Sequence, residues 1–286
     1  MKRWILGARL RTLPAAVVPV LLGTATSVSV NFSWWKAVGA LLVAISLQVG
    51  ANYANDYGDG VRGLDGGSRV GPQRLVGSGL ATPASVRRAA LIAFLVAAIS
   101  GAILSLVVQP WLLLIGVTSI AAAWFYTAGR KPYGYKGLGE ISVFFFFGPV
   151  ATVGSSYLQI KMISGLALLA GVATGLLASS LLVVNNLRDR ESDLLLGKKT
   201  LAVKLGDNRT RILYVFLVTA GCFFGGLCAF SRFWAVLSCV ALVAALRQFK
   251  TVLKGAEGTD LIQVLNLTGR IQLLFGILLT FGIIVS

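Results

Sequence analysis

Apolar residues run in stretches of roughly 17 to 25 along nearly the whole chain, and about 20 suffice for a helix to cross a hydrocarbon core of about 30 Å. The pattern predicts nine membrane-spanning helices, at residues 13–30, 35–56, 88–109, 112–128, 139–158, 163–187, 212–230, 233–248 and 264–285. The connections alternate in length. Those at 57–87 and 188–211 are long and polar, and 129–138 is a shorter segment rich in Gly, Tyr and Lys. The connections on the opposite side hold a few residues each, too few for a domain, so chemistry is expected at the end that carries the long ones. A single all-α polytopic membrane domain over residues 1–286 is the expectation.

Composition narrows the class. Of 286 residues only 13% are charged, where soluble domains carry about 25%. With 56% hydrophobic residues and a mean hydropathy of +0.82, an ordinary soluble enzyme is excluded. Lys and Arg number 26 against 10 acids, a net charge of +16 that in a soluble chain would suggest nucleic acid. No nucleic-acid motif accompanies them, and Lys and Arg enriched in cytoplasmic loops beside anionic lipid explain the excess. With the N-terminus in the cytoplasm, only Lys36, Lys161 and Arg232 fall on the far side. All ten acids also lie on the cytoplasmic side, which the topology rule does not require.

There is no histidine, which excludes an imidazole base, a His-bound metal or a haem ligand of that kind. Cys222, Cys228 and Cys239 sit in apolar stretches without paired spacing and read as small buried hydrophobes. The basic N-terminus lacks a small-residue cleavage site and is read as retained.

Two polar clusters end the second and sixth spans. Gln48, Asn52, Asn55, Asp56 and Asp59 step by three or four and share a helix face, with Asp65 following. Asn185, Asn186, Asp189 and Asp193 repeat the pattern. A single such cluster is adequately explained by the water interface. Two matched ones point to function, because polar side chains in membrane helices turn toward the bundle interior. Facing carboxylates without His or Cys make an all-oxygen site suited to Mg²⁺ or Mn²⁺, and Mg²⁺ commonly bridges a few carboxylates to phosphates. Arg62, Arg69 and Arg74, then Lys131 and Lys136, then Arg188, Lys198 and Lys199 recur beside the acids, a charge set that fits a diphosphate.

A diphosphate on a group that belongs in a membrane is most simply a polyprenyl diphosphate. Its departure leaves an allylic cation that needs an apolar, shielded pocket. Tyr53, Tyr57, Trp124, Phe125, Tyr126 and the run Phe144 to Phe147 are available for cation–π contact, although interface belts and packing explain most of them equally well.

The ordered set of motifs resembles the UbiA-type intramembrane aromatic prenyltransferases. It comprises Arg9-Leu-Arg11-Thr-Leu-Pro14, Asn55-Asp-Tyr-Gly-Asp59 with Asp65, Gly71-Pro-Gln-Arg74, Tyr126 through Glu140, and Asn185-Asn-Leu-Arg-Asp189 leading to Asp193 and Gly197-Lys-Lys. It is most similar to the branch that acts on 1,4-dihydroxy-2-naphthoate. The general family pattern places an acid four residues after Asp59, where this chain has Gly63, so Asp65 is the shifted member of the set.

The resemblance implies nine helices around a central cavity, and Mg²⁺-dependent transfer of a polyprenyl chain to 1,4-dihydroxy-2-naphthoate with decarboxylation. It implies a metal site of Asn55, Asp59, Asp65, Asp189 and Asp193, with Asp56, Asp59, Asp189 and Asp193 as the catalytic acids. Substrate contacts are expected from Asn52, Arg74, Tyr126, Lys131, Lys136, Arg188, Lys198 and Lys199. The implied location is a bacterial cytoplasmic membrane. Another acceptor, 4-hydroxybenzoate or homogentisate, remains open, as does an ion-coupled transporter that uses the same acids.

Overall fold

A computed structural model describes residues 2–64 and 73–286, and the regular structure among them is entirely helical. The elements are α1 (Lys2–Ala8), α2 (Pro14–Ala25), α3 (Trp34–Val61), α4 (Pro83–Val108), α5 (Leu112–Phe125) and α6 (Gly139–Phe145). They continue as α7 (Ala151–Ile160), α8 (Gly165–Leu195), α9 (Leu201–Leu205), α10 (Asp207–Leu227), α11 (Val240–Leu253) and α12 (Gly258–Val285).

Every predicted span coincides with helix, but among the described residues only 7 helices are long and apolar enough to cross a membrane unaided. Two segments differ from the expectation of nine full spans. α5 has 14 residues, about 21 Å at 1.5 Å per residue, and falls short of a hydrocarbon core. The first predicted span, 13–30, holds α2, the second member of a bent pair whose first member is α1 with its following turn, at 54° to each other. The bend has a local cause: Arg9 is left-handed at φ 52, a 3-10 turn covers Leu10–Thr12, and Pro14 starts α2. Proline suits a first helical turn, where its missing N–H costs nothing, but it prevents α1 from continuing through it.

The span from Gly139 to Ile160 is likewise not a plain α-helix. Its α6 and α7 are joined by a π-helical turn, Phe146–Val150, that contains Pro149. A proline has no N–H for the helical ladder, and a wider turn absorbs the defect. This turn lies tightly on α8: a Cβ placed on Gly148 would come within 2.6 Å of the Gly171 carbonyl oxygen, so only glycine permits this backbone approach.

Two apolar cores flank a shared interior. The larger joins α2, α8, α10, α11 and α12 through Val18, Leu22, Leu177, Tyr214, Phe249 and Phe275. The smaller joins α1, α3, α4 and the segment after residue 73 through Ala8, Tyr53, Leu75, Val86 and Phe94. α8 is the central helix, with 67% of its most apolar window buried against 28% for α4. Large apolar side chains stand exposed on the outer helices, among them Ile92, Ile99, Leu106, Leu114, Phe216 and Phe223. That surface suits lipid rather than water, and with the apolar spans it makes this a multi-pass membrane protein.

Candidate active site

The last turns of α3 divide the first polar cluster between two jobs. Asn55 and Asp59, one helical turn apart, face a cavity of about 1200 Å³, whereas Asp56 lies round the helix and is not among its lining residues. Asp56 is 1% exposed, and its two oxygens accept the backbone N–H groups of Leu75 at 2.9 Å and Val76 at 3.2 Å. The sequence expectation of a catalytic Asp56 therefore meets a carboxylate engaged in anchoring the segment that carries Arg74. Removing it strands two N–H groups, at about 1–3 kcal/mol for each one buried. Asp56→Ala is expected to lower the unfolding temperature in detergent while activity at low temperature keeps its metal dependence.

Arg62 also serves the frame rather than a ligand. Its guanidinium donates to the carbonyls of Gly58 at 2.8 Å and Thr127 at 2.7 Å, and to that of Gly129, closing the end of α3 onto the loop between α5 and α6. The Thr127 hydroxyl donates to Asn55 Oδ1 at 2.5 Å, which fixes the asparagine at the cavity wall.

The second cluster ends α8. Arg188 grips Asp189 with two parallel hydrogen bonds, both 2.7 Å, and donates to Asn185 Oδ1 at 2.9 Å. After α8 the chain turns at Gly197, φ 70, a left-handed conformation that glycine adopts freely. The turn sends Lys198 back: its backbone N–H donates to the Asp193 carbonyl at 2.8 Å, and its ammonium enters the site.

That ammonium joins the clusters. Lys198 Nζ lies 3.2 Å from Asp59 Oδ1 and 3.6 Å from Asp193 Oδ1, so carboxylates from α3 and α8 share one cation. Arg74 Nη2 lies 3.4 Å from the other oxygen of Asp59, and the Tyr135 hydroxyl donates to Asp59 Oδ1. Lys198 also sits 4.8 Å from the centre of the Tyr135 ring, a cation–π distance. Burial above all, then the Asp59 charge and hydrogen bond, raises the Tyr135 phenol above its ordinary pKa, so it remains a donor to Asp59.

Among the described residues no group of three acidic side chains closes on a single point as a metal cluster. The donor chemistry nonetheless fits a hard divalent cation: the converging groups are carboxylate and amide oxygens, and a cation, the Lys198 ammonium, already lies between two of them. Asp65 and Arg69 lie outside the described residues.

The other expected contacts divide. Arg74, Tyr126, Arg188 and Lys198 line the cavity. Lys131, Lys136 and Lys199, also expected as diphosphate contacts, are exposed and not among the lining residues. They lie on loops whose charge follows from topology alone. Lys199 contributes through its backbone, donating to the Tyr135 carbonyl at 2.9 Å and tying the two loops together. Asn52 lines the cavity, but its amide nitrogen is committed to the Ala8 carbonyl at 2.9 Å and the Thr12 hydroxyl at 3.0 Å. Gln48 donates to the same hydroxyl at 2.8 Å, so the inner polar residues of α3 hold the break between α1 and α2.

Sequence reasoning missed Tyr135 as a partner of Asp59 and Arg9 as a lining residue. Tyr135 stands between lysines in the middle loop, the one signal that could have drawn notice. Deeper in the cavity the lining turns apolar, with Leu104, Ile115, Val143, Phe147, Val150 and Leu158.

Comparison with known proteins agrees with this architecture. Residues 16–267 match the UbiA prenyltransferase family, and the chain belongs to that family. A 1,4-dihydroxy-2-naphthoate octaprenyltransferase of Mycobacterium tuberculosis is 48% identical over 276 residues, covering 96% of this chain and 94% of the relative. The Escherichia coli protein of the same name is 36% identical over 301 residues, covering 99% and 95%. A UbiA homolog from Archaeoglobus fulgidus, solved with DMAPP and Mg²⁺, superposes with a TM-score of 0.72 at 15% identity over 99% of both chains, a likeness of fold.

Proposed function

We propose that this UbiA-family chain transfers a polyprenyl group from its diphosphate to 1,4-dihydroxy-2-naphthoate, with loss of the acceptor's carboxylate, giving demethylmenaquinone in its reduced, quinol form. It would do so in a bacterial cytoplasmic membrane, with its N-terminus on the cytoplasmic side. The observation that carries the reading is the Lys198 bridge between Asp59 and Asp193 at one end of a largely apolar cavity. Phosphate-binding cations, metal-binding oxygens and room for a hydrocarbon chain meet there, and the named relatives act on a naphthoate acceptor.

In this mechanism Arg74, Arg188 and Lys198 bind the diphosphate oxygens. Asn55, Asp59, Asp189 and Asp193 would hold Mg²⁺, or Mn²⁺ in its place, with Asp65 as a further ligand. Held there, the ion would supply positive charge to stabilise the leaving diphosphate. Tyr135 holds Asp59 toward the cavity. The carbon–oxygen bond of the allylic diphosphate breaks with its electron pair leaving on oxygen, while Tyr126 and the apolar walls shield the electron-poor carbon from water. The hydroxyl-bearing ring supplies the pair for the new carbon–carbon bond, and departure of the carboxylate as CO₂ returns a pair to the ring.

The test is turnover by purified protein in detergent with labelled polyprenyl diphosphate and 1,4-dihydroxy-2-naphthoate, with Mg²⁺ and then with chelator. A prenylated, decarboxylated naphthoquinol is expected, lost on chelation and regained when Mg²⁺ is restored. Diphosphate release without that product would redirect the reading to 4-hydroxybenzoate or homogentisate. No consumption of prenyl diphosphate by folded protein would overturn the transfer reading.

A further inference from the structure

Behind the cavity wall a carboxyl group is buried without an ion pair among the described residues. Glu140, near the start of α6, is 6% exposed, and among the described residues no Lys or Arg forms an ion pair with it, in contrast to Asp59, Asp189 and Asp193. Its Oε1 accepts a hydrogen bond from Asn186 Nδ2 at 2.9 Å, and its Oε2 has no hydrogen-bond partner among the described residues. The Ser179 hydroxyl donates to the Glu140 carbonyl at 3.0 Å, which pins α6 to α8 at this level. A buried carboxyl with an unsatisfied oxygen is costly, and packing alone gives no reason for it.

Its effect on Asn186 supplies one. Asn186 lines the cavity and Glu140 does not. Glu140 Oε1 accepts from Asn186 Nδ2, so a Glu at this position engages the amide nitrogen of Asn186 and leaves Oδ1 as the group available to a ligand. The neighbouring Asn185, also a lining residue, is committed the other way, since its Oδ1 accepts from Arg188 at 2.9 Å and its N–H groups are what it has left. The two adjacent amides thus offer opposite hydrogen-bonding ends, Asn185 beside the phosphate-binding arginine and Asn186 away from it.

We propose that Asn186, oriented by Glu140, selects a hydroxyl-bearing aromatic acceptor, its Oδ1 taking a hydrogen bond from an acceptor hydroxyl while Glu140 acts as a positioning residue behind it. The inference rests on the transfer reading above and names the residues that recognise the acceptor. A site built to hydrogen-bond a substrate hydroxyl discriminates strongly against the analogue without it, because the protein group is then left unpaired.

The test is steady-state kinetics with 1,4-dihydroxy-2-naphthoate and each of its monomethyl ethers, alongside the KM for polyprenyl diphosphate. Asn186→Leu is expected to raise the acceptor KM about tenfold, the loss of one hydrogen bond. It should also erase the preference for the free hydroxyl over the methyl ether that has lost it. The prenyl diphosphate KM should stay within about twofold, as should the phosphate-end energetics it reports. Glu140→Leu should reproduce this, and Glu140→Gln, which still offers an accepting oxygen to Asn186, should restore most of the preference. Thermal unfolding in detergent checks the fold, and Asn186→Ala carries the same expectation if a leucine variant does not fold.

An unchanged hydroxyl preference in folded Asn186→Leu or Asn186→Ala would overturn the proposal. So would a rise confined to the prenyl diphosphate KM, or a Glu140→Gln variant no better than Glu140→Leu. Wild-type protein that makes no product from any naphthoate would instead sink the transfer reading, so the two failures are distinguishable.

Discussion

Asp59→Asn is expected to lower turnover by about 10²- to 10³-fold in a protein that still folds, a loss of roughly 3–4 kcal/mol of transition-state stabilisation. The substitution preserves shape and removes charge. In the wild type Asp59 faces Lys198 at 3.2 Å and Arg74 at 3.4 Å and accepts from Tyr135, all within a largely buried site. An amide there leaves two cations without their shared anion and deprives a divalent ion of a charged ligand. The deficit should therefore appear in kcat, accompanied by a higher Mg²⁺ concentration for half-maximal rate. Steady-state assays across an Mg²⁺ series read both quantities. Normal turnover in folded Asp59→Asn would remove the metal-site argument, since Asp59 is the α3 carboxylate that shares Lys198 with Asp193 of α8.

Lys198→Met should be the second largest loss, about 10²-fold in kcat/KM, with a distinct signature. The ammonium lies between Asp59 and Asp193, so it competes for the same oxygens that would hold a divalent ion. On the proposed mechanism it must transfer part of its bonding to the diphosphate once substrate and metal arrive. Methionine keeps the length of the stem but takes away that contact, so the prenyl diphosphate KM should rise. With the competing cation gone, the two carboxylates should bind Mg²⁺ more tightly in the absence of substrate. Calorimetric titration of substrate-free protein with Mg²⁺ tests this opposite movement. Parallel weakening of metal and substrate binding would show that Lys198 only supports the fold of the loop after α8.

These two side chains illustrate what could and could not be read before the fold was known. Asp59 was legible because its spacing from Asn52 and Asn55 marks one face of one helix, a property of local geometry. Asp56 shares the motif, yet its place on that helix turns it to the Leu75 and Val76 amides, and only the returning segment reveals that assignment. Lys198 and Lys131, and behind them Lys199 and Lys136, were all expected at the diphosphate as loop cations. The turn at Gly197 brings Lys198 into the site, whereas the other three remain exposed. Tyr135 gave little signal because its partners, Asp59, Arg62 and Lys198, are all remote in sequence.

By itself the sequence determined that the protein is a helical membrane bundle with its acids and long loops at one end. It also identified the family, because apolar length, loop charge and motif order are properties of contiguous residues. The tertiary structure decided which helices fall short of a full span, where the first one bends, and which polar groups face the cavity. It also decided that α3 and α8 share a cation through Lys198 and that Glu140 accepts a hydrogen bond from Asn186. The choice of cavity-facing groups, the shared Lys198 and the Glu140–Asn186 bond depend on distances between segments far apart in the chain. Local periodicity fixes the direction of a side chain around its own helix, but the partner it meets is set only when the helices pack.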